Sequence, residues 1–198
     1  MIALETAVAT AAAATALGAL AVSRARSYGV PLRLGASYVA AALVATPLIR
    51  LAVSNAAAYW SASVALAIGA VCAVTDLQTG YVFDRVLLAG SCLALGAALG
   101  DRRITGALAG AALAGTLLGL LFAMSRGRGI GLGDVKLASV LGACLGTGGA
   151  LHAVGFAFVV GALFAVVLLF RGARRTSEVR FAPFLALGAA YALLASVR

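Results

Sequence analysis

Two acidic residues stand at the ends of long apolar segments, where charged side chains are uncommon. The chain holds only six Asp and Glu residues among 198, and Asp76 ends one apolar segment while Asp134 begins another. Two carboxyl groups held close together share a proton, so that one can activate water while the other protonates a peptide carbonyl. If the fold brings Asp76 and Asp134 together, they predict the chemistry of an aspartyl protease. The alternative is that Asp134 only caps a helix and Asp76 faces water.

A glycine-rich run leads directly into Asp134. Glycine occupies every second position from Gly127 to Gly133, and Arg126 precedes the run. Glycine permits close approach of two backbones and positive φ. Taken alone, Gly-X-Gly-Asp is equally consistent with a flexible connector between helices. Here it precedes an acid that has a matching partner, which favours a functional role.

The composition indicates the elements that must position these acids. Hydrophobic residues make up 64% of the chain and charged residues only 11%, with a mean hydropathy of +1.10. A water-soluble core could not bury this much apolar surface, whereas a bilayer core of about 30 Å needs roughly 20 apolar residues per helical crossing. We predict an all-α, polytopic transmembrane helical bundle of about eight spans. It forms a single integral membrane domain over residues 1–198, with a catalytic core at about 57–198.

The predicted spans follow the apolar stretches between charges, glycines and prolines. They are roughly 2–22, 36–53, 57–75, 84–100, 104–124, 134–148, 149–170 and 181–197. Only the run from Gly146 to Gly149 divides the sixth span from the seventh, so seven spans with one bent helix is the alternative. The first span has Glu5 before its apolar stretch and Arg24 and Arg26 after it. This order is the reverse of a cleavable signal and predicts a retained anchor with its N-terminus outside.

The positive charges predict the orientation. Most of the fifteen Lys and Arg residues fall in or beside the loops that follow spans 1, 3, 5 and 7. Positive charges near short loops stay on the cytoplasmic side, so both Asp76 and Asp134 are expected at the cytoplasmic face. The net charge of +9 is explained by this topology and by a lipid bilayer with anionic headgroups. No basic helix or aromatic platform accompanies it, which argues against nucleic acid as a partner.

The remaining candidate ligands and acids have simpler interpretations. Cys72, Cys92 and Cys144 lie inside apolar spans and form no CxxC pair, and His152 has no second ligand at metal-binding spacing. We therefore predict no metal and no organic cofactor. Asp84 is interpreted as a cap at the start of the fourth span.

The positions of the two central acids on their helices predict which one holds the shared proton. Asp134 stands at a helix N-terminus, where the dipole favours a carboxylate by about 0.3–1 kcal/mol. Asp76 stands at a helix C-terminus, where the same dipole opposes one. From the sequence, Asp76 is expected to hold the proton.

Three segments resemble the type IV prepilin peptidases, a family of GxGD intramembrane aspartyl proteases. Residues 76–84 resemble the segment that runs from the family's first catalytic aspartate to a following Asp or Asn. Residues 131–137 closely match its GxGDxKL signature, and residues 181–188 resemble the start of its last helix. The three segments occur in the family's order.

The resemblance implies a role for each matching residue. Asp76 and Asp134 take the catalytic positions, while Gly131, Gly133 and Lys136 take supporting ones. The sequence departs from the family pattern at Gln78, where an acid is frequent, and at Phe83, where a proline is frequent. Neither departure removes the catalytic pair.

The resemblance also implies a substrate and a location. The substrate is a type IV prepilin, a membrane-anchored protein whose short basic leader is removed at the cytoplasmic face of the inner membrane. Larger family members carry a zinc-binding insertion between their first two spans that is associated with N-methylation. Here that connection is only about residues 23–35, which is similar to the peptidase-only members that serve Flp/Tad pili.

Two other classes of function fit part of the pattern. A small proton-coupled transporter or channel could use paired intramembrane aspartates to relay protons or bind a cation. An inverted repeat or acids at the midplane would favour it, but the sequence has no such repeat and both acids are expected at one face. A scaffold subunit of a secretion machine would leave the GxGD segment unexplained.

Overall fold

The described part of the protein is helical throughout. The computed structural model describes residues 16–19, 21–23, 26, 56–100, 102–126, 129–171 and 180–195, and every regular element in these ranges is an α-helix. Within these ranges five long helices follow one another: α1 (Ala56–Thr79), α2 (Asp84–Gly100), α3 (Ile104–Ser125), α4 (Leu132–Phe170) and α5 (Ala182–Ala195). The predicted second span, most of the first span, the outside N-terminus and most of the short 23–35 connection lie outside the described residues.

Three of these helices are long and apolar enough to cross a membrane. They are α1 from Trp60 onward, α3 and α4, whose mean hydropathies are 1.6, 2.0 and 2.8. Large apolar side chains such as Leu88, Leu163 and Phe170 are exposed on the helix surfaces. This is the pattern expected where lipid rather than water surrounds a bundle. The all-α fold of membrane-capable helices is therefore confirmed, and the count of eight spans stays a prediction.

The helix bounds follow the charges and glycines of the sequence. Helices α2 and α3 begin and end within about one residue of the predicted spans, since charged or glycine residues bound both. Helix α1 differs, because it continues past the predicted end at residue 75 to Thr79. Gly80 then stops it with a φ of 72°, a left-handed conformation that suits glycine. As a result Asp76 lies in the last turn of a helix rather than in a loop.

Helix α4 is broken at Gly146, where the predicted sixth and seventh spans meet. Gly146 has φ 70° and ψ −177°, which is outside the helical region, while helical conformation continues on both sides. A residue with a side chain would be strained at this φ. Its backbone also lies close to Gly110 on α3.

The contacts on either side of the break show that α4 reverses direction there. Gly69 on α1 faces both Leu141, from the first segment of α4, and Ala186 on α5. Phe158, from the second segment, packs on Phe181 at the start of α5 with ring centroids 5.1 Å apart. In a straight helix Phe158 would lie about 39 Å from Leu132 at the start of α4. Instead the start of α4 and the part of its second segment around Phe158 lie at the same end of the bundle as the last turn of α1.

Small residues let these helices pack closely. Gly110 on α3 meets the backbone of Gly142 on α4, and Gly188 on α5 meets the carbonyl of Ala153. Close contact between small residues is the usual basis of helix association in membranes, where no hydrophobic force drives helices together. These contacts fix α3 and α5 on opposite segments of α4 and so hold the start of α4 beside the end of α1.

Candidate active site

Asp76 is buried at the point where α1 ends and α5 begins. Its side chain is only 6% exposed. The backbone amide of Ala182 donates a hydrogen bond to its carboxylate, and the Arg180 side chain is close enough to attract it electrostatically. Oδ2 of Asp76 has no hydrogen-bond partner within the described part of the chain. The carboxyl group thus keeps one oxygen available for a proton or for a hydrogen bond from a reactant.

The sequence at the start of α5 explains why Ala182 can donate to Asp76. The carbonyl of Phe181 accepts the first helical bonds, from the amides of Phe184 at 3.0 Å and Leu185 at 3.2 Å. The first amides of a helix have no partner within it, and Pro183 has no amide hydrogen to satisfy. The amide of Ala182 therefore has no partner within α5, and the Asp76 carboxylate accepts a hydrogen bond from it. The N-terminus of α5 acts as a binding site for the Asp76 carboxylate.

Asp134 is held within its own helix turn. Its carboxylate accepts a hydrogen bond from the amide of Gly131 at 3.2 Å, while the amide of Asp134 donates to the Gly131 carbonyl at 3.1 Å. Gly131 is extended, with φ −82° and ψ 154°, and occupies the position before the first helical residue. The GxGD sequence therefore forms one compact turn that fixes the acid at the start of α4.

The structure places the two predicted acids within electrostatic range of each other. The carboxyl groups of Asp76 and Asp134 interact electrostatically, and both interact with the thiol of Cys72, which lies one turn before Asp76 and is buried. Asp76 and Asp134 come from different helices, yet they lie at the same end of the bundle. Two carboxyl groups that approach closely enough there would share a proton.

The two supporting glycines have different surroundings. A Cβ on Gly133 would lie 3.0 Å from Cβ of Val82, in the connection between α1 and α2. A Cβ on Gly131 would make only an ordinary contact, at 3.5 Å from Oδ2 of Asp134. In the described chain, the glycines with positive φ are Gly80 and Gly146, so neither supporting glycine is needed for a left-handed conformation. Gly133 is needed for close approach to Val82, whereas Gly131 is not required by sterics.

Lys136 binds Asp84 instead of a central acid. Its Nζ lies 2.6 Å from Oδ1 of Asp84, and the two side chains are 51% and 73% exposed. Asp84 is the first residue of α2, and the Phe83 carbonyl accepts the first helical bonds, so the interpretation of Asp84 as the cap is wrong. The ion pair connects the first turns of α2 and α4 beside the candidate site.

The sequence does not indicate how the segment before α5 contributes to the site. It presents Arg180 only as one of the positive charges that predict the orientation, whereas in the structure its guanidinium donates a hydrogen bond to the Leu77 carbonyl. The Ala182 amide also undermines the sequence-based assignment of the shared proton. Asp76 lies at the C-terminus of α1, but its carboxylate also meets the N-terminus of α5. The contrast between two helix ends therefore does not distinguish the acids.

Among the described residues, no three His, Cys, Asp or Glu side chains cluster as metal ligands would.

These features define an all-helical protein with membrane-capable helices and an aspartate pair at one end of the bundle. Residues 63–166, which include both aspartates, match the type IV leader peptidase family, and the chain belongs to that family.

Two curated relatives are similar to the chain. They are the prepilin leader peptidase/N-methyltransferases of Burkholderia pseudomallei strains 1026b and K96243, each 40% identical over 126 residues. The matched region is 60% of this chain and 40% of each relative, so the chain spans about two fifths of the length of these proteins. No solved structure matches the chain.

Proposed function

We propose that this protein is an aspartyl endopeptidase that removes the basic leader peptide from type IV prepilins. The observation that supports the proposal is that Asp76 and Asp134 lie within electrostatic range of each other at one end of the bundle. They come from helices that are distant in sequence, and both lie inside the region that matches the family. An aspartate pair at one end of the bundle, rather than midway along it, suits hydrolysis at a membrane surface better than proton or cation transport.

In this proposal the two carboxyl groups share one proton. One carboxylate takes a proton from water as the water attacks the scissile carbonyl carbon, and the other carboxyl protonates the carbonyl oxygen. Each acid accepts a hydrogen bond from an amide at a helix start, Asp76 from Ala182 and Asp134 from Gly131. Because the two environments are alike in this respect, we propose that neither acid is fixed as acid or base before substrate binds.

The proposed substrate is a membrane-anchored prepilin with a short basic leader followed by a hydrophobic helix. A peptide bond inside a helix is shielded by the helix's own hydrogen bonds, so the substrate must unwind near its leader, which a glycine before the scissile bond would ease. Because the sequence between the first two predicted spans lacks paired cysteines, we propose a peptidase without methyltransferase activity, of the Flp/Tad type.

We propose that the chain lies in the inner membrane with eight spans, its N-terminus outside and its active site at the cytoplasmic face. The arginine distribution and the reversal of α4 at Gly146 support this topology. Single cysteines placed near Gly80 and near Gly127 in a cysteine-free background should then react with a membrane-impermeant reagent from the cytoplasmic side. Labelling of these two positions from opposite sides would contradict the shared site.

The decisive experiment is co-expression with candidate prepilins, with leader removal followed on gels. Asp76→Asn and Asp134→Asn should each reduce processing by about 10²–10⁴-fold, because each removes a group that must transfer a proton. Asp84→Asn is the matched control, since it makes the same chemical change at the same end of the bundle but in the exposed pair with Lys136. It should keep most of the activity.

Two results would overturn the proposal. Processing that survives Asp134→Asn at the wild-type rate would exclude Asp134 as a catalytic residue. In the same assay, methylation of the trimmed pilin by this chain alone would exclude the peptidase-only form.

A further inference from the structure

Arg180 joins the end of α1 to the start of α5. Its Nη1 donates a hydrogen bond to the carbonyl of Leu77, the residue that follows Asp76. Its Nη2 lies 3.8 Å from the position that a Cβ would take on Gly80, where α1 stops. The last carbonyls of a helix have no partner within the helix, and arginine side chains can supply one. Arg180 therefore caps α1 from a position that is 103 residues away in sequence.

A second hydrogen bond joins the same two segments. Two residues after Arg180, the amide of Ala182 donates to the carboxylate of Asp76. The segment 180–182 thus binds α1 at two adjacent residues, once at the Leu77 backbone and once at the Asp76 side chain. Together the two contacts join the last turn of α1 to the start of α5.

The choice of arginine suits this position. A guanidinium presents several donors in a rigid plane, so it can bind a carbonyl with one nitrogen while another lies against the turn at Gly80. The same group carries a positive charge within electrostatic range of Asp76. A lysine would keep the charge but would not keep the planar fork.

We propose that Arg180 is a positioning residue for Asp76, which acts by binding the Leu77 carbonyl and so holding the Asp76 carboxyl on the Ala182 amide. This inference rests on the proposed peptidase function. Arg180 does not touch the reacting atoms. Its effect is to keep one of the two acids in the orientation that proton transfer requires.

The test compares purified variants on a synthetic prepilin in detergent. Arg180→Gln should lower kcat about 10- to 100-fold with little change in KM, because small misplacement of a catalytic group slows the chemical step without weakening binding. Arg180→Lys should be intermediate, with a several-fold lower kcat. Arg171→Gln is the matched control, since Arg171 is an exposed arginine at the end of α4, and it should leave kcat unchanged.

The outcomes separate this inference from the proposed function. If the wild type does not cleave any prepilin, the peptidase proposal fails. If the wild type cleaves and Arg180→Gln cleaves with the same kcat, only the role of Arg180 is overturned. A raised KM at unchanged kcat would likewise overturn it, because Arg180 would then bind substrate. If Arg180→Gln does not fold, Arg180→Lys decides, and a wild-type kcat in that variant overturns the inference.

Discussion

The two acids of the candidate site are held in different ways. Asp134 is bound by Gly131, three residues before it, so its position is set within a single helix turn. Asp76 is bound by Ala182 and lies beside the Arg180 bond to Leu77, and both contacts come from the segment where α5 begins, more than 100 residues later in the sequence. The position of Asp134 therefore depends on local geometry, and the position of Asp76 depends on how α5 docks against α1.

This difference predicts which substitutions displace the side chain of each acid. A change far from the site can displace Asp76 if it moves α5, because the Asp76 carboxylate is held by that helix. Asp134 should tolerate the same change, since its hydrogen bond to Gly131 does not cross between helices. Substitutions that disturb the Ala182 contact with Asp76 but not the Gly131 contact with Asp134, or the reverse, test the comparison directly.

The largest effect is expected at Gly188, where α5 contacts α4. A Cβ there would collide with the backbone carbonyl of Ala153, so Gly188→Ala must push α5 away. We expect destabilisation of about 1–3 kcal/mol, measured by thermal unfolding in detergent. The displacement of α5 also loosens the Ala182 bond to Asp76, so kcat should fall about 10- to 100-fold.

Gly155→Ala is the control for this prediction. Gly155 lies in the same segment of α4, and the space around it is open. Replacing it should change stability by less than about 1 kcal/mol and should leave kcat near the wild-type value. Equal losses of kcat in the two variants would show that the docking of α5 does not control Asp76.

An intermediate effect is expected at Gly133, on the Asp134 side of the site. A Cβ at this position would lie 3.0 Å from Val82, so Gly133→Ala must shift the connection between α1 and α2 by a few tenths of an ångström. We expect leader cleavage to fall about tenfold, which corresponds to roughly 1.4 kcal/mol in the barrier.

Gly131→Ala tests whether a glycine is needed at this position of the GxGD motif although the structure leaves room for a side chain. Alanine can adopt the extended conformation of Gly131, and its Cβ would meet only ordinary contacts. Cleavage should change by about twofold or less, as for substitutions that disturb no packing. If Gly131→Ala is as inactive as Gly133→Ala, the difference in packing between the two glycines does not explain their effects on cleavage.

The smallest effect is expected for the ion pair between Asp84 and Lys136. Both side chains are more than half exposed, and exposed pairs contribute about 0.2–1 kcal/mol. A double-mutant cycle with Asp84→Asn and Lys136→Gln should give a coupling energy in that range, and the coupling should weaken in high salt. A loss of activity in Lys136→Gln far larger than in Asp84→Asn would indicate that Lys136 acts on a central acid.

The sequence was sufficient where structure is local. Charges and glycines at both ends of α2 and α3 predicted their bounds closely. The glycine run drew attention to Asp134, and the Gly131 amide that binds this acid lies only three residues before it. Composition was enough for the all-helical fold, since apolar segments of this length leave few alternatives.

The sequence was insufficient where residues meet across helices. It contained no signal that the first amide of α5 would bind Asp76, or that Lys136 would pair with Asp84, because both contacts depend on how separate helices pack. The division of α4 was similarly ambiguous. A run of glycine and threonine fits either a bend or a reversal, and only the contacts of Phe158 with α5 distinguish them.

The bond between Ala182 and Asp76 also has a consequence for biosynthesis. Both aspartates leave the ribosome well before Ala182, so a nascent or truncated chain that stops before α5 carries the pair without the amide that holds Asp76. Such a fragment is expected to be inactive. Under the proposed function, the peptidase would become active only once α5 has been inserted.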